Sequence, residues 1–137
     1  MKHQHWLVKQ EPESYSWDDF MRDKTTIWDG VRSYAARLHL NGMRPGDRVL
    51  FYASGEPKSV IGLAEVTKAG FPDTTADEPG WVAVGLKAGK ALKRPVTLAE
   101  IKATPALAKM QLIRQSRLSV APVTPEEFDQ ILAMGAA

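Results

Sequence analysis

The chain has 137 residues, of which 44% are hydrophobic and 25% are charged, and this length and balance indicate one globular domain spanning residues 1–137. It has no cysteine and no apolar run near the roughly 18 residues of a membrane helix, which excludes disulfide frameworks, thiolate zinc sites, cysteine nucleophiles and helical membrane spans. Its net charge is only +2, whereas a protein that binds nucleic acid mainly through the phosphate backbone usually has a larger basic excess.

The first half of the chain alternates short strands with short helices. Ser16 has the position of a helix N-cap, and Asp19 three residues later would complete a capping box. Asp29-Gly30 signals a turn, and Asn41-Gly42 would cap the end of the helix that follows. The predicted elements are a strand at His5–Lys9, a loop at Gln10–Tyr15, a helix at Trp17–Asp23, a strand at Thr25–Trp28 and a helix at Arg32–Leu40.

Two apolar segments rich in β-branched residues open the second half, and the turn-forming segment 54–59 between them predicts a hairpin. Gly62 would weaken the second strand, so it indicates a bulge or the close approach of another backbone. The predicted elements are strands at Arg48–Ala53, Val60–Thr67 and Trp81–Ala91, a polar loop from Phe71 to Gly80, a helix at Thr97–Ala103, an irregular or extended segment at Leu112–Val120 and a helix at Thr124–Met134.

The order of these elements indicates the fold class. Strands and helices are mixed, but few of the connections are long enough for the parallel crossovers of a doubly wound sheet. We therefore predict an α+β fold in which helices flank a curved sheet or a small β-barrel.

Histidines offer one possible metal site. His3 and His5 would share one face of the first strand, but the sequence shows no third ligand near them, and His39 lies in a predicted helix. A chain terminus without a site is the plainer interpretation. The sequence also lacks the HExxH, Walker, GxGxxG and GxSxG motifs, so no cofactor is expected.

Four tryptophans are the more informative feature. Trp6, Trp17 and Trp81 are interpreted as core residues. Trp28 differs because it precedes Asp29-Gly30 at the entry of a helix whose first residues include Arg32. A ring, exposed helix amides and a guanidinium together would hold a planar polar ligand, with Arg32 or Arg37 placed to contact a phosphate. Core packing is the alternative for Trp28.

Six short strings of residues follow one another in register along the chain. They are WLVKxEPE at 6–13, WDGVRxYxAR at 28–37, FYxS at 51–54, GLAEV at 62–66, FPD at 71–73 and RLSVxPVTPEEF at 117–128. Each string is weak alone, but the set, from Trp6 to about Leu132, resembles the EVE domain. This domain is a branch of the PUA-like superfamily and is also similar to the YTH domain.

The resemblance implies a PUA-like fold with a pocket for a flipped-out modified base, modified cytosine being the expected ligand class and N6-methyladenine the ligand of YTH domains. It implies a non-catalytic nucleic-acid-binding module, with any effector activity carried by a partner protein. The cytoplasmic location is a separate expectation, because the sequence shows neither a membrane helix nor a signal-peptide pattern. Lys9 would lie at the pocket rim, segment 28–33 would form one wall, the FYxS string the floor, and 71–73 a second wall. The implied base-binding residues are Lys9, Trp28, Val31, Arg32, Ser33, Tyr34, Tyr52, Ser54, Phe71, Pro72 and Asp73, and the implied phosphate-binding residues are Arg32 and Arg37.

Two departures from the family pattern leave the preferred base open. RNYQAR is usual where residues 32–37 read RSYAAR, and FYHS is usual where residues 51–54 read FYAS. Two side-chain amides and an imidazole that can bind a base edge are thereby absent. Whether the nucleic acid is DNA or RNA also stays open.

Two other functions compete with base reading. Some PUA-like relatives of the ASCH branch resemble amidohydrolases that use a lysine and a glutamate, and Lys9 with Glu11 or Glu65 could be such a pair acting on a modified nucleoside. Alternatively, the basic segment 31–68 could serve a general RNA-binding module with steep salt dependence.

Overall fold

The computed structural model describes residues 4–10, 15–55, 58–115 and 118–136, which form six strands and five α-helices. The strands are β1 (His5–Gln10), β2 (Thr25–Trp28), β3 (Arg48–Ala53), β4 (Ser59–Pro72), β5 (Val82–Thr97) and β6 (Val120–Val123). The helices are α1 (Trp17–Asp23), α2 (Tyr34–Gly42), α3 (Leu98–Lys102), α4 (Gln111–Arg114) and α5 (Pro125–Gly135), with a 3-10 turn at Pro105–Leu107.

All six strands belong to one mixed sheet with the order β2-β5-β4-β3-β1-β6. Strand β1 runs parallel to β3, and the other neighbouring pairs are antiparallel. Within the described residues β2 and β6 form the two edges, so the sheet is not closed into a barrel. The predicted α+β class is confirmed, and of its two predicted forms the structure has the open sheet.

The two faces of the sheet pack against different helices. Alternation along β1 places Trp6 and Val8 in one apolar cluster and Leu7 in the other. Helices α1 and α2 supply the first cluster, whereas α3, α4 and α5 supply the second. We call these the α2 face and the α5 face of the sheet.

Short polar motifs set the helix boundaries. Ser16 with Asp19 and Thr97 with Glu100 form the predicted capping boxes, and the predicted N-cap Thr124 forms a third box with Glu127. Helix α2 begins at Tyr34 instead of Arg32 because the Ser33 hydroxyl accepts the Ala36 N–H and makes Ser33 the N-cap. Of the helices in the described part of the chain, none combines the length and hydrophobicity needed to cross a membrane.

Strands β4 and β5 are longer than predicted. The two strands stay hydrogen-bonded to each other beyond their predicted ends, and Phe71 pairs with Ala83 and Pro72 with Val82. At Phe71 and Pro72 the sequence predicted a polar loop. Several register shifts absorb irregular spacing along this pair, and Pro72 lies at the last position of its strand, where a missing N–H costs little. The segment Leu112–Val120 was predicted as irregular or extended, but its first three residues belong to helix α4.

Gly62 shows why a glycine occupies a central strand. The register shifts on both sides of Gly62 in the β4–β5 pair confirm the predicted bulge. The group that approaches closely is the Trp17 ring of α1, not a backbone, because a Cβ on Gly62 would lie 2.5 Å from two of its atoms. Gly62 therefore lets α1 lie flat on the sheet.

Candidate nucleic-acid interface

A cavity of about 240 Å³ lies between the end of β1 and the edge strand β2. Its described lining combines two aromatic rings with amide, hydroxyl and carboxylate groups, which is the mixture expected around a planar polar ligand. The volume is just below the 300–1,000 Å³ or so of pockets for drug-sized ligands, so a single base is a better match. The lining residues are Gln10, Tyr15, Thr26, Ile27, Trp28 and Asp29.

Trp28 is a core residue with only 4% of its surface exposed. Its ring meets Tyr15 at 81° and Phe51 at 85°, so both contacts are edge-to-face. The expectation of an open Trp28 ring beside a guanidinium is corrected, because packing against the β3 side chain removes the ring from the surface. Trp28 still lines the cavity, and its part in base binding stays a prediction.

Asp73 holds the turn that follows Trp28. Its side chain has no solvent exposure, and Oδ2 accepts from the Gly30 N–H and from Arg32, both at 2.9 Å. Oδ1 accepts from the N–H and the hydroxyl of Thr75 at 2.8 and 2.6 Å. Burial alone would raise the pKa of Asp73, but the hydrogen bonds from Thr75, Gly30 and Arg32 outweigh it and hold that pKa well below its usual range.

This arrangement gives Asp73 a different role from the expected one. Instead of contacting a base, its carboxylate lies beneath the surface and ties residues 29–32 to the end of β4. Gly30 has a φ of 78°, which glycine adopts without strain, so the turn fits close to this carboxylate. Asp73 is thus a positioning residue for the segment that carries Asp29 into the cavity wall.

Arginine side chains do stack on aromatic rings, but around Trp81. Tyr34 and Trp81 have ring centroids 5.2 Å apart at an angle of 28°. The Arg37 guanidinium carbon lies 5.0 Å from the Tyr34 centroid and 5.2 Å from that of Trp81, and Arg32 lies 5.7 Å from Trp81. The interpretation of Trp81 as a core residue is corrected, because it is half-buried in this surface stack.

Lys9 and Tyr52 lie on the opposite side of the sheet from Trp28. Tyr52 is buried in the α5-face cluster, and Lys9, its register partner, lies with its ammonium 5.7 Å from the Tyr52 ring centroid. Burial and the neighbouring Lys58 lower the pKa of Lys9. The predicted rim and floor therefore do not meet the wall at Trp28, because alternation along β1 and β3 turns these side chains to the other face.

Ser33 is the N-cap of α2, and the other remaining predicted residues fall into three places. Ser54 donates from both its backbone N–H and its hydroxyl to the carbonyl of Gln10, at the edge of the cavity. Val31 is buried on the α2 face. Phe71 and Pro72 line a second depression of about 250 Å³, together with Trp81, so they lie apart from the cavity.

The hydrolase pair is not assembled in the described residues. Glu65 pairs with Arg48 at one end of β3, whereas Lys9 pairs with Tyr52 near the other end, roughly 13 Å away along the strand. Glu65 instead lies 3.4 Å from the ammonium of Lys87. The other candidate, Glu11, lies outside the described residues.

The histidines and the basic segment are also dispersed. His5 packs on Phe128 of α5, whereas His39 packs on Trp6 on the α2 face, and His3 lies outside the described ranges. Among the described residues no three metal-ligating side chains come together. Of the basic residues in segment 31–68, Arg48 lies over Phe128, apart from Arg37 over Trp81, so the segment does not present all of its basic side chains on one surface.

Five site residues were missed in the sequence analysis, and they are Gln10, Tyr15, Thr26, Ile27 and Trp81. Tyr15 and Thr26 line the cavity, and the only local hint was their position beside predicted element boundaries. Trp81 follows Gly80, whose φ is 98° and whose carbonyl accepts from Arg37 at 3.0 Å. An exposed turn before a strand was the available signal for a surface tryptophan.

Known proteins are similar to this chain along nearly its whole length. The sequence profile of the EVE domain family matches residues 4–134. Thymocyte nuclear protein 1 of Homo sapiens is 36% identical, over 95% of this chain and 73% of the relative.

Solved structures of related proteins have the same fold along nearly the whole of this chain. The human THYN1 protein in complex with DNA containing 5-methylcytosine is 33% identical, with a TM-score of 0.91 over 98% of both chains. Rpa0253 from Rhodopseudomonas palustris is 46% identical, with a TM-score of 0.91 over 96% of this chain and 92% of its own. An ASCH protein mutant from Zymomonas mobilis, 15% identical with a TM-score of 0.61 over 96% of this chain and 99% of its own, shares the fold alone.

Proposed function

The chain belongs to the EVE domain family, and from this membership we propose that it is a non-catalytic module that binds DNA containing modified cytosine. The observation that carries the proposal is the likeness, along nearly the whole of both chains, to the human THYN1 protein bound to 5-methylcytosine DNA. The low net charge agrees with it, because recognition would then depend on a base pocket more than on many phosphate contacts.

We assign the base to the cavity beside β2. Asp29 is the charged side chain among its described lining residues, and a carboxylate accepts a hydrogen bond from the N4 amino group of cytosine. Thymine carries a carbonyl at this position, which a carboxylate repels. The cavity would therefore take cytosine or 5-methylcytosine and reject thymine.

The apolar part of the lining supplies the preference for a methyl group. Ile27 lies at the cavity wall and is half exposed in the free protein. Covering one methyl group contributes about 0.8 kcal/mol, which corresponds to roughly a fourfold preference for 5-methylcytosine over cytosine. Flipping a base costs a few kcal/mol, and contacts with the Tyr15 ring would offset part of that cost.

A binding titration tests the proposal. Labelled single strands with one central 5-methylcytosine, cytosine or thymine are compared with the matching 5-methylcytosine duplex and RNA, at two salt concentrations. We expect roughly fourfold preference for 5-methylcytosine over cytosine, and roughly tenfold or more over thymine. Equal affinity for all three strands, with a steep salt dependence, would contradict the proposal.

The decisive variant is Asp29→Ala. It should abolish the discrimination against thymine while keeping the methyl preference, because the carboxylate is lost and Ile27 is not. Asp18→Ala is the matched control, since Asp18 is also exposed and its loss changes the net charge equally. If Asp29→Ala and Asp18→Ala discriminate as the wild type does, the base does not occupy this cavity.

A further inference from the structure

The stack formed by Tyr34, Trp81 and Arg37 lies outside the cavity and plays no part in its lining. Tyr34 is 69% exposed, although one face of its ring packs on Trp81. So large an exposed fraction leaves ring surface open to solvent beyond the contacts with Trp81 and Arg37. We call this surface the Tyr34 platform.

The platform is held in place before any ligand arrives. Arg37 donates to the Gly80 carbonyl at 3.0 Å while its guanidinium contacts both rings, and Arg32 is fixed near Trp81 by the buried Asp73 carboxylate. Ordered side chains lose less conformational entropy when a ligand binds. An exposed tyrosine in a rigid stack is therefore better suited to ligand binding than a freely rotating one.

The chemistry of the platform matches an unpaired base and its phosphate. An open aromatic face stacks on any nucleobase, and adjacent guanidinium groups pair with phosphate. A third cation, Lys68, lies 4.6 Å from the ring centroid of Phe71, which lines the same depression as Trp81. The combination of a flat ring and a local positive charge favours a nucleic acid strand over an uncharged partner.

Resting on the proposed function, we propose that the Tyr34 platform stacks on a second, unpaired base of the same DNA strand whose modified base occupies the cavity. Asp29 of the cavity and Tyr34 are five residues apart in the chain, so their Cα atoms lie within about 18 Å. The Asp73 carboxylate fixes the segment between them. One strand can therefore contact both sites, and the platform favours DNA that is unpaired beside the modified cytosine.

Abasic substitution tests this second contact. The probe is a single strand with one 5-methylcytosine, in which each flanking nucleotide is replaced in turn by an abasic one. For the wild type, one flanking position should weaken binding between about fivefold and a hundredfold, the range for stacking one base on an aromatic ring. Tyr34→Ala should weaken binding to the intact strand equally and show no further loss with the abasic strand.

Two further variants keep the result interpretable. Tyr34→Phe retains the ring and should bind like the wild type, whereas Met21→Ala removes an exposed apolar side chain from α1 and should have no effect. Because Tyr34 is largely exposed, Tyr34→Ala should melt close to the wild-type temperature.

The outcomes separate this proposal from the proposed function. If the wild type prefers 5-methylcytosine but ignores every flanking abasic site, the platform is refuted and base reading stands. An equal loss for Tyr34→Ala on intact and abasic strands would show a phosphate contact without stacking, which also refutes it. A wild type without preference for 5-methylcytosine would refute both proposals.

Discussion

Replacing Asp73 by asparagine should loosen the turn that carries Asp29. The carboxylate oxygens accept four hydrogen bonds, two from Gly30 and Arg32 and two from Thr75. An amide group has the same shape but turns one oxygen into a donor, which then faces two other donors. It also removes the charge that pairs with Arg32.

The expected cost follows from these lost contacts. A hydrogen bond to a charged group contributes about 1.5–3 kcal/mol, and a buried donor left without an acceptor costs a further penalty of about 1–3 kcal/mol. Because the Arg32 side chain is 39% exposed, water replaces part of its ion pair. We therefore expect Asp73→Asn to lower the free energy of unfolding by about 2–4 kcal/mol at neutral pH.

The pH dependence gives a second, independent readout. The pKa of Asp73 is lowered by folding, so the unfolded chain binds more protons in acid and stability rises with pH there. The contribution of Asp73 is complete above the ordinary carboxyl pKa of about 3.9 and is lost as the pH falls below it. The difference between wild type and Asp73→Asn should therefore shrink between about pH 4 and pH 2.

Urea denaturation at a series of pH values measures both effects. Asp77→Asn is the matched control, because Asp77 lies exposed in the same loop. A loss below about 0.5 kcal/mol for Asp73→Asn, or a difference that stays constant into acid, would refute the assignment of Asp73 as the anchor of this turn.

Three other substitutions test the packing around the sheet. Gly62→Ala should destabilise by about 1–3 kcal/mol in urea, since its Cβ would meet the Trp17 ring, and a neutral result would mean that α1 can move away. Trp28→Ala should cost about 3–5 kcal/mol, measured by thermal melting; an unchanged melting temperature would contradict core placement. Asp47→Ala removes a buried acceptor for the Trp6 indole N–H and for the backbone N–H groups of Gln4 and Arg44. We therefore expect the free energy of unfolding in urea to fall by at least about 2 kcal/mol. Tryptophan emission should change as well, because the Trp6 indole loses its acceptor, and an emission spectrum identical to that of the wild type would contradict this prediction.

The features that the sequence predicted well depend on neighbours along the chain. The two predicted capping boxes need only residues three positions apart, and the hairpin between β3 and β4 needs only a short turn. The bulge at Gly62 was also predictable, because a glycine inside a strand often marks a bulge or a close contact. The identity of the group above it, Trp17, required the position of α1 on the sheet.

The features that were predicted wrongly depend on distant partners. Strand β4 reaches Pro72 only because β5 continues alongside it, and no local pattern in 68–72 shows that partner. The burial of Trp28 also depends on a distant partner, because Trp28 pairs with Val84 in β5 and both side chains lie in the α2-face cluster. The face of the sheet on which Lys9 lies was predictable, because side chains alternate along β1 and Val8 lies on the α2 face. The family motif gives the residue type at position 9 but does not by itself say which face of the strand that residue occupies.

The position of β1 within the sheet has a consequence for how the protein folds. Strand β1 lies between β3 and β6, and its partner β6 comes from the opposite end of the chain. During synthesis β1 therefore has an exposed edge until residues 120–123 leave the ribosome, and such an edge is a place where chains associate wrongly. Joining strands so distant in sequence also slows folding more than it weakens the folded state, because loop-closure entropy grows only logarithmically with length. A chain shortened before β6 would keep this edge of β1 unpaired, and we expect it to be prone to self-association.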